Sequence, residues 1–332
     1  MEKASESADD QVLHPASGVI RPIAEKTRYQ RRSNQLPEVP EENLMRPIQN
    51  FPRRCTLVHT LAALQHAFRV PATLFSATLR TPHPLHSASI ENRSMPPLQS
   101  QIALVTGAAR GVGAATSLRL ASLGAHVLLV ARDTQRLNEV RNQVTANKGQ
   151  ATVVPCDLLD PAAISNLGVQ VARNYGRCDI LVNNAGIGGE GKPLHEVAPE
   201  EWDRLFATNL RAPYLMIRAV APLMIAARTG HIINISSLAG RNPLPNNAPY
   251  AATKWGLNGL TYSVAEELRQ YNIRVSVIAP GSINTKFGDP GSTKDPNNKL
   301  QPEDVAAVVA SIVTQAPQSF ISEVLMRPTQ KP

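Results

Sequence analysis

Along the chain from residue 101, short apolar runs alternate with longer segments whose apolar positions recur at helical spacing. A short, continuously apolar run is typical of a strand buried on both faces of a parallel sheet. Six such runs are predicted as strands: Ile102–Thr106, His126–Val130, Thr152–Cys156, Asp179–Val182, Ile232–Ser236 and Arg274–Ile278. The segments between and after them are predicted as helices: Gly113–Leu123, Thr134–Ala146, Ala162–Asn174, Glu200–Arg228, Ala248–Arg269 and Pro302–Gln315.

This alternation determines the expected fold class. Strands and helices in turn at this spacing imply right-handed βαβ units, in which each helix crosses back over the sheet. A last short strand, Glu323–Met326, would close one edge. The sequence therefore predicts an α/β protein whose residues 95–332 form a single Rossmann-like, doubly wound parallel sheet with helices on both faces.

Residues 1–94 have a different character. They contain nine prolines and show no sustained strand or helix period. Three interpretations stay open. The segment is a largely disordered N-terminal extension, or a stretch upstream of a true start at Met95. The second interpretation is a transit peptide, because the segment is rich in Arg and Ser and poor in acids after residue 43. Or it is an arm that binds a partner. No chemistry is assigned to it.

Composition and charge exclude several classes of function. The net charge is +8, but Lys and Arg never form a run longer than a pair such as Arg53-Arg54 and aromatic residues are 4%, so no nucleic-acid partner is expected. No stretch reaches the run of about 18 or more apolar residues that a membrane span needs. Cys55, Cys156 and Cys178 have no C-x-x-C spacing, which predicts no metal and reduced thiols in the cytoplasm.

A glycine-rich turn follows the first predicted strand. Glycines at such a turn allow a tight bend, close approach of a pyrophosphate to the backbone, and close packing of helix on strand. The pyrophosphate would then lie at the amino end of the next helix, where unpaired N–H groups favour negative charge. The sequence therefore predicts a dinucleotide site at Thr106-Gly107-Ala108-Ala109-Arg110-Gly111-Val112-Gly113.

The end of the second strand bears on which dinucleotide binds. An NAD site is expected to carry an acid there for the ribose 2′-OH, but Ala131 and Arg132 occupy this place. Arg110 in the glycine turn can reach the same pocket, and two guanidiniums suit a 2′-phosphate. We therefore expect NADP(H) rather than NAD(H). The alternative is that both arginines are surface residues and Asp133 binds the ribose.

Tyr250 and Lys254 are candidates for proton transfer. Their spacing of four places both side chains on one face of a helix. A tyrosine with an ordinary pKa of about 10 is a poor acid–base group at neutral pH, and a fixed cation nearby lowers that pKa. Ser237 ends the fifth strand, and the carboxyl ends of parallel strands are where such sheets hold ligands. Its hydroxyl can hydrogen-bond a substrate oxygen.

The set of motifs resembles the short-chain dehydrogenase/reductase family over residues 98–328. The matching pieces are the glycine turn, Asp157, Asn183 to Gly186, Asn209, Ser237, Tyr250 with Lys254, and Pro280-Gly281 with Thr285. The resemblance implies that Tyr250 is the general acid for reduction. It implies that Lys254 binds the nicotinamide ribose and lowers the pKa of the tyrosine, and that Ser237 polarises the carbonyl.

The same resemblance implies further roles. Asn209 would hold a water that links Lys254 to solvent. Other residues would contact the cofactor, with Ala185 among them: Asp157 and Leu158 the adenine; Asn184 and Gly186 the adenine ribose; and Ile283 and Thr285, after Pro280-Gly281, the nicotinamide carboxamide. Within the family, arginines at the positions of Arg110 and Arg132 accompany a preference for NADP.

The expected function is reduction of a small ketone, aldehyde or 3-oxo acid derivative with NADPH, by a homodimer or homotetramer. The ending Ile321–Pro328 is similar to members that act on small 3-hydroxy acids and ketones. Two alternatives stay open: a 3-oxoacyl-[acyl-carrier-protein] reductase, and a sensor that binds NADP(H) without turnover. Residues 286–300 are either a lid over the nicotinamide or a solvated loop.

Overall fold

Seven parallel strands form the central sheet of the computed structural model, which describes residues 97–285, 287 and 295–330. In chain order the strands are β1 (Ile102–Thr106), β2 (His126–Ala131), β3 (Gln150–Pro155), β4 (Ile180–Asn183), β5 (Gly230–Ile235), β6 (Ile273–Pro280) and β7 (Glu323–Met326). Their order across the sheet is β3-β2-β1-β4-β5-β6-β7, and every neighbouring pair is parallel. The prediction of a doubly wound parallel sheet is confirmed.

Helices cover both faces of this sheet. They are α1 (Gly111–Ser122), α2 (Thr134–Ala146), α3 (Pro161–Tyr175), α4 (Pro199–Phe206), α5 (Ala212–Ala227), α6 (Ala248–Arg269) and α7 (Pro302–Val313). One buried apolar cluster joins the sheet to α1, α2 and α7, and a second joins it to α3, α5 and α6. Within β1, Ala103 and Val105 belong to the first cluster and Leu104 to the second, because successive strand residues point to opposite faces.

The predicted bounds agree with most of these elements. Those of β1, α2, α6 and β7 coincide with the structure, and the other predicted ends shift by one or two residues. The prediction that the third strand is buried is wrong in part. β3 forms an edge of the sheet, so its residues are half-buried or exposed.

The long helix expected over Glu200–Arg228 is not continuous. Between α4 and α5 lies a five-residue π-helical turn, Ala207–Arg211. A π-turn interrupts the regular hydrogen-bond ladder and is frequent at functional sites. Here it carries Asn209, which is 1% exposed.

The same segment, Pro199–Ala227, is long and apolar enough to cross a membrane by length and composition, although it contains no uninterrupted apolar run of that length. Its apolar side chains Met216, Val220 and Met224 are fully buried in the second cluster. This packing is typical of a core helix in a globular domain.

Three expectations lie outside the described residues. They are the disordered extension over residues 1–94, the start at Met95, and most of the lid over residues 286–300, of which 286 and 288–294 are not described. The division of the chain at residue 95 stays a prediction.

Candidate active site

The glycine turn between β1 and α1 has a backbone that only glycines adopt without strain. Gly107 and Gly111 have φ angles of +65° and +55°. A Cβ at Gly113 would lie 2.2 Å from the carbonyl oxygen of Gly107 and 2.6 Å from Nδ2 of Asn184. The turn therefore packs its main chain closely against Asn184 at the amino end of α1 and forms a backbone cradle in which a side chain at Gly113 would clash.

Thr106 and Asn184 join the carboxyl ends of β1 and β4. The hydroxyl of Thr106 accepts hydrogen bonds from the N–H groups of Asn184 and Ala185, each at 3.0 Å, and Asn184 Nδ2 donates to the Thr106 carbonyl at 2.9 Å. β1 and β4 flank the point where the strand order reverses, which is where doubly wound sheets bind ligands. These two side chains therefore fix the floor of the site.

A cleft of about 1060 Å³ opens along the carboxyl ends of the strands. Three of the residues proposed from sequence, Thr106, Gly113 and Asn209, lie behind its wall. The others line it: Gly107, Arg110, Gly111, Val112, Arg132, Asp157, Leu158, Asn184, Ala185, Gly186, Ser237, Tyr250, Lys254, Pro280, Gly281, Ile283 and Thr285. Residues from six strand ends therefore meet in one cavity.

At one end of this cleft the guanidiniums of Arg110 and Arg132 are exposed and make no hydrogen bond or ion pair with the residues that the structure describes. Asp133, the alternative ribose ligand, is engaged elsewhere. It begins α2 as its N-cap, accepts from the N–H of Arg136 at 3.0 Å, and pairs with Arg136 Nε at 3.3 Å. Sequence reasoning missed Arg136, although its spacing of three from an N-cap acid indicates such a contact.

At the other end, α6 brings Tyr250 and Lys254 to β5 and Ser237. Lys254 is 4% exposed, and its Nζ donates to the Ile235 carbonyl at 3.0 Å and lies 5.8 Å from the centre of the Tyr250 ring. Burial lowers the pKa of Lys254 to about 8. A side-chain hydrogen bond with Ser237 acts to lower the pKa of Tyr250. The predicted proximity of these three side chains is present.

The direction of the tyrosine's pKa differs from the expectation. Burial raises the pKa of Tyr250, and the hydrogen bond with Ser237 opposes only part of that rise. Lys254 does not reverse this rise: its ammonium lies 5.8 Å from the centre of the ring and donates a hydrogen bond to the Ile235 carbonyl. The protein on its own therefore holds Tyr250 in the protonated form, which suits a proton donor.

Asn209 stabilises the loop that follows β4. Its Nδ2 donates to the Ile187 carbonyl and its Oδ1 accepts from the Ile187 N–H, both at 2.9 Å. The same Nδ2 donates to Thr253 Oγ1 at 3.2 Å, and that hydroxyl donates to the Tyr250 carbonyl at 2.7 Å. Thr253 is fully buried and was missed, because nothing in the linear sequence relates it to Asn209.

Two further parts of the cleft wall contain residues that the sequence analysis did not single out, although Phe287 belongs to the segment 286–300 expected near the nicotinamide. Arg204 and Thr208, from α4 and the π-turn, line the cleft. Phe287 lies beyond β6 with its ring centre 6.2 Å from that of Tyr250, and it is 46% exposed. Its ring presents apolar surface beside the phenol. Groups of three or more His, Cys, Asp or Glu that could hold a metal ion are not found among the described residues.

Comparisons with known proteins agree with this geometry. Residues 101–295 match the family model described as short chain dehydrogenase. An uncharacterised oxidoreductase of Staphylococcus epidermidis is 32% identical over 70% of this chain and 100% of its own length. A 3-oxoacyl-[acyl-carrier-protein] reductase of Synechocystis sp. is 34% identical over 69% of this chain and 95% of its own.

A solved structure is also similar. A metagenomic short-chain oxidoreductase in complex with NADP is 54% identical, with a TM-score of 0.64, and the match covers 71% of this chain and 100% of that one. The matched family segment includes both the glycine turn and the Tyr250–Lys254 pair. The chain therefore belongs to the short-chain dehydrogenase family of oxidoreductases, which act on CH–OH groups.

Proposed function

We propose that the protein reduces a small carbonyl compound, namely a ketone, an aldehyde or a 3-oxo acid derivative, to the alcohol with NADPH. The observation that carries this proposal is the convergence of Ser237, a protonated Tyr250 and a buried Lys254 in the same cleft as the glycine cradle. A cleft that joins a proton donor to a dinucleotide cradle is suited to carbonyl–alcohol interconversion.

The residues present fit NADPH. The backbone cradle at Gly107, Gly111 and Gly113 suits a pyrophosphate at the amino end of α1. Arg110 and Arg132 suit the 2′-phosphate, and the similar metagenomic enzyme was solved with NADP. We assign the adenine to Asp157 and Leu158, its ribose to Asn184, Ala185 and Gly186, and the nicotinamide end to Pro280, Gly281, Ile283 and Thr285. When bound, the reduced nicotinamide supplies the hydride.

The chain's own groups handle the oxygen and the proton. The Ser237 hydroxyl donates a hydrogen bond to the substrate carbonyl and stabilises the charge that develops on its oxygen. Tyr250 donates its phenolic proton to that oxygen. The ammonium of Lys254 stabilises the phenolate that remains, in a setting where burial strengthens their attraction. We assign Asn209, in the π-turn, to the path along which a water returns the proton from solvent.

A carbonyl panel tests the proposal. NADPH oxidation is followed at its absorbance maximum with small ketones, aldehydes, free 3-oxo acids and acetoacetyl thioesters. Turnover of the free compounds, faster than that of the thioesters, is expected. Preference for thioesters would favour a 3-oxoacyl-[acyl-carrier-protein] reductase. NADPH binding in titrations, without oxidation by any compound, would favour a sensor.

We also propose that the protein works in the cytoplasm as a homodimer or homotetramer, without a nucleic-acid or membrane partner. Cys156 and Cys178 are buried and unbridged, which agrees with a reducing compartment. Trp202, Tyr214 and Trp255, on α4, α5 and α6, are each more than a third exposed, as residues at a subunit contact are in a single chain. Light scattering on the purified full chain measures the number of subunits.

A further inference from the structure

A side cavity of about 560 Å³ lies beside the first turn of α2. It shares Ala109, Arg110, Asp133 and Arg136 with the main cleft and adds Gln135 and Glu139. Because the two cavities have these residues in common, the side cavity is an extension of the cleft. It lies at the end where the nucleotide's 2′ substituent is assigned.

Arg136 and Asp133 make a reciprocal contact at the mouth of this side cavity. One carboxylate oxygen of Asp133 accepts from the Arg136 N–H at 3.0 Å, and the other lies 3.3 Å from Nε. Both side chains are about half exposed, at 47% and 50%. The contact uses Nε of the guanidinium, and its two Nη groups make no hydrogen bond with the part of the chain that the structure describes. The N–H groups on these two nitrogens can therefore donate hydrogen bonds to a ligand.

The position of Asp133 makes its charge relevant to cofactor choice. A carboxylate just after β2 would accept a hydrogen bond from the ribose 2′-OH of NAD(H), and it would repel a 2′-phosphate in the same place. With one oxygen on the helix N-terminus and the other on Arg136, the carboxylate is held away from both interactions. Without Arg136, only the helix cap would restrain it.

We propose that Arg136 is a specificity-determining residue that acts in two ways: it neutralises Asp133, and it adds a third guanidinium to Arg110 and Arg132 around the 2′-phosphate. This inference rests on the proposed use of NADPH. Charge-assisted hydrogen bonds to phosphate are roughly twice as strong as neutral ones, so loss of one donor changes affinity measurably. The same loss releases Asp133 toward a ribose hydroxyl, so NADH binding does not fall with it.

The test measures binding and does not depend on turnover. Dissociation constants for NADPH, NADH, 2′,5′-ADP and 5′-AMP are determined for the full-length protein and for Arg136→Gln by calorimetry. The matched control is Arg141→Gln, an exposed arginine on the same helix that lines neither cavity. We expect Arg136→Gln to weaken NADPH and 2′,5′-ADP about tenfold, to leave NADH and 5′-AMP unchanged or tighter, and Arg141→Gln to change none of them.

A second variant separates the two actions of Arg136. Asn remains a good N-cap residue, so Asp133→Asn removes the charge and keeps the helix start. In the Arg136→Gln background it is expected to recover part of the NADPH affinity and to cancel any gain for NADH. Equal losses of NADPH and NADH in Arg136→Gln, or losses matching those of Arg141→Gln, would overturn the role of Arg136. Equal affinity of the unaltered protein for NADPH and NADH would instead overturn the proposed cofactor, and this inference with it.

Discussion

The two ends of the cleft are built differently. At the nucleotide end, main chain with positive φ at Gly107 and Gly111 is joined by exposed guanidiniums. At the reaction end, Lys254 and Asn209 are at most 4% exposed and their polar atoms are engaged. Exposed charges act nearly independently of one another, whereas buried, bonded groups depend on their neighbours. Outside the Arg136–Asp133 pair, which is in direct contact, substitutions at the nucleotide end should therefore change affinity in separate steps, and those at the reaction end should change the chemistry.

The largest expected effect comes from the proton donor. Tyr250→Phe removes only the phenolic hydroxyl, so turnover should fall by about 10²–10⁴-fold, the range for loss of a general acid. NADPH affinity should stay within about twofold, because the ring remains. Steady-state kinetics and cofactor titration measure the two quantities separately. Undiminished turnover in this variant would remove Tyr250 from its role.

At the nucleotide end, the largest effect should come from a substitution that distorts the backbone of the glycine turn. A Cβ at Gly113 would lie 2.2 Å from a carbonyl oxygen, so Gly113→Ala should cost about 1–3 kcal/mol of unfolding free energy and abolish NADPH binding. The matched control is Gly259→Ala in α6, where a Cβ meets nothing within 4 Å. That control should stabilise the helix by about 0.5–1 kcal/mol and bind NADPH normally. Normal binding by Gly113→Ala would show that the cradle is elsewhere.

His231, a buried histidine that does not line the cleft, allows the effect of burial to be measured apart from catalysis. His231 lies near the amino end of β5, is 2% exposed, and contacts Ser276 at 2.8 Å. Burial lowers the pKa of His231 to about 3, from an ordinary value of 6.5. The folded state thus binds fewer protons than the unfolded state between these values. The free energy of unfolding therefore has its full contribution from His231 above about pH 6.5. It decreases as the pH falls, by roughly 2 kcal/mol at pH 5.

The measurement is chemical denaturation of the protein between pH 5 and pH 7.5. His231→Gln, whose amide can still donate to Ser276, should lessen the dependence on pH. His195→Gln replaces a histidine whose side chain is 81% exposed, and it should leave the pH dependence of stability unchanged. The same pH dependence in all three proteins would assign the acid sensitivity to other groups.

The ionisation of Lys254 should appear in the pH profile. Because burial lowers the pKa of this ammonium to about 8, it loses its proton well below the usual 10.5. The rate of reduction should therefore fall above about pH 8, approaching a tenfold decrease per pH unit, because the neutral amine no longer stabilises the Tyr250 phenolate. Lys254→Arg keeps its charge at every pH used and should move the decline to higher pH at lower activity. A flat profile from pH 7 to 9.5 in the unaltered protein would contradict this.

The smallest effect should come from Thr253, which connects Asn209 to the main chain of Tyr250. Thr253→Val keeps the shape and removes the hydroxyl, so kcat should fall about tenfold, in line with the loss of one hydrogen bond. The KM for NADPH should not change, since Thr253 does not line the cleft. Thr253→Ser should restore the rate. Equal losses in both variants would indicate a packing role only.

Much of the fold could be predicted from the sequence because each strand is a short apolar run between helices of clear period. The bounds of α6 follow from that period, and α2 begins at an N-cap acid that the sequence displays. The exposure of β3 could not be predicted. An apolar run does not reveal whether a strand lies at the centre or the edge of the sheet.

The sequence by itself determined the glycine turn, the spacing of Tyr250 and Lys254, and the polar residues at the strand ends, since each depends on contacts between near neighbours. Tertiary structure decided the rest. The π-turn at Asn209 and its link to Thr253 join segments 44 residues apart. The raised pKa of Tyr250 comes from burial by elements that meet only in the folded chain. Desolvation depends on everything that surrounds a group, and no local pattern encodes it.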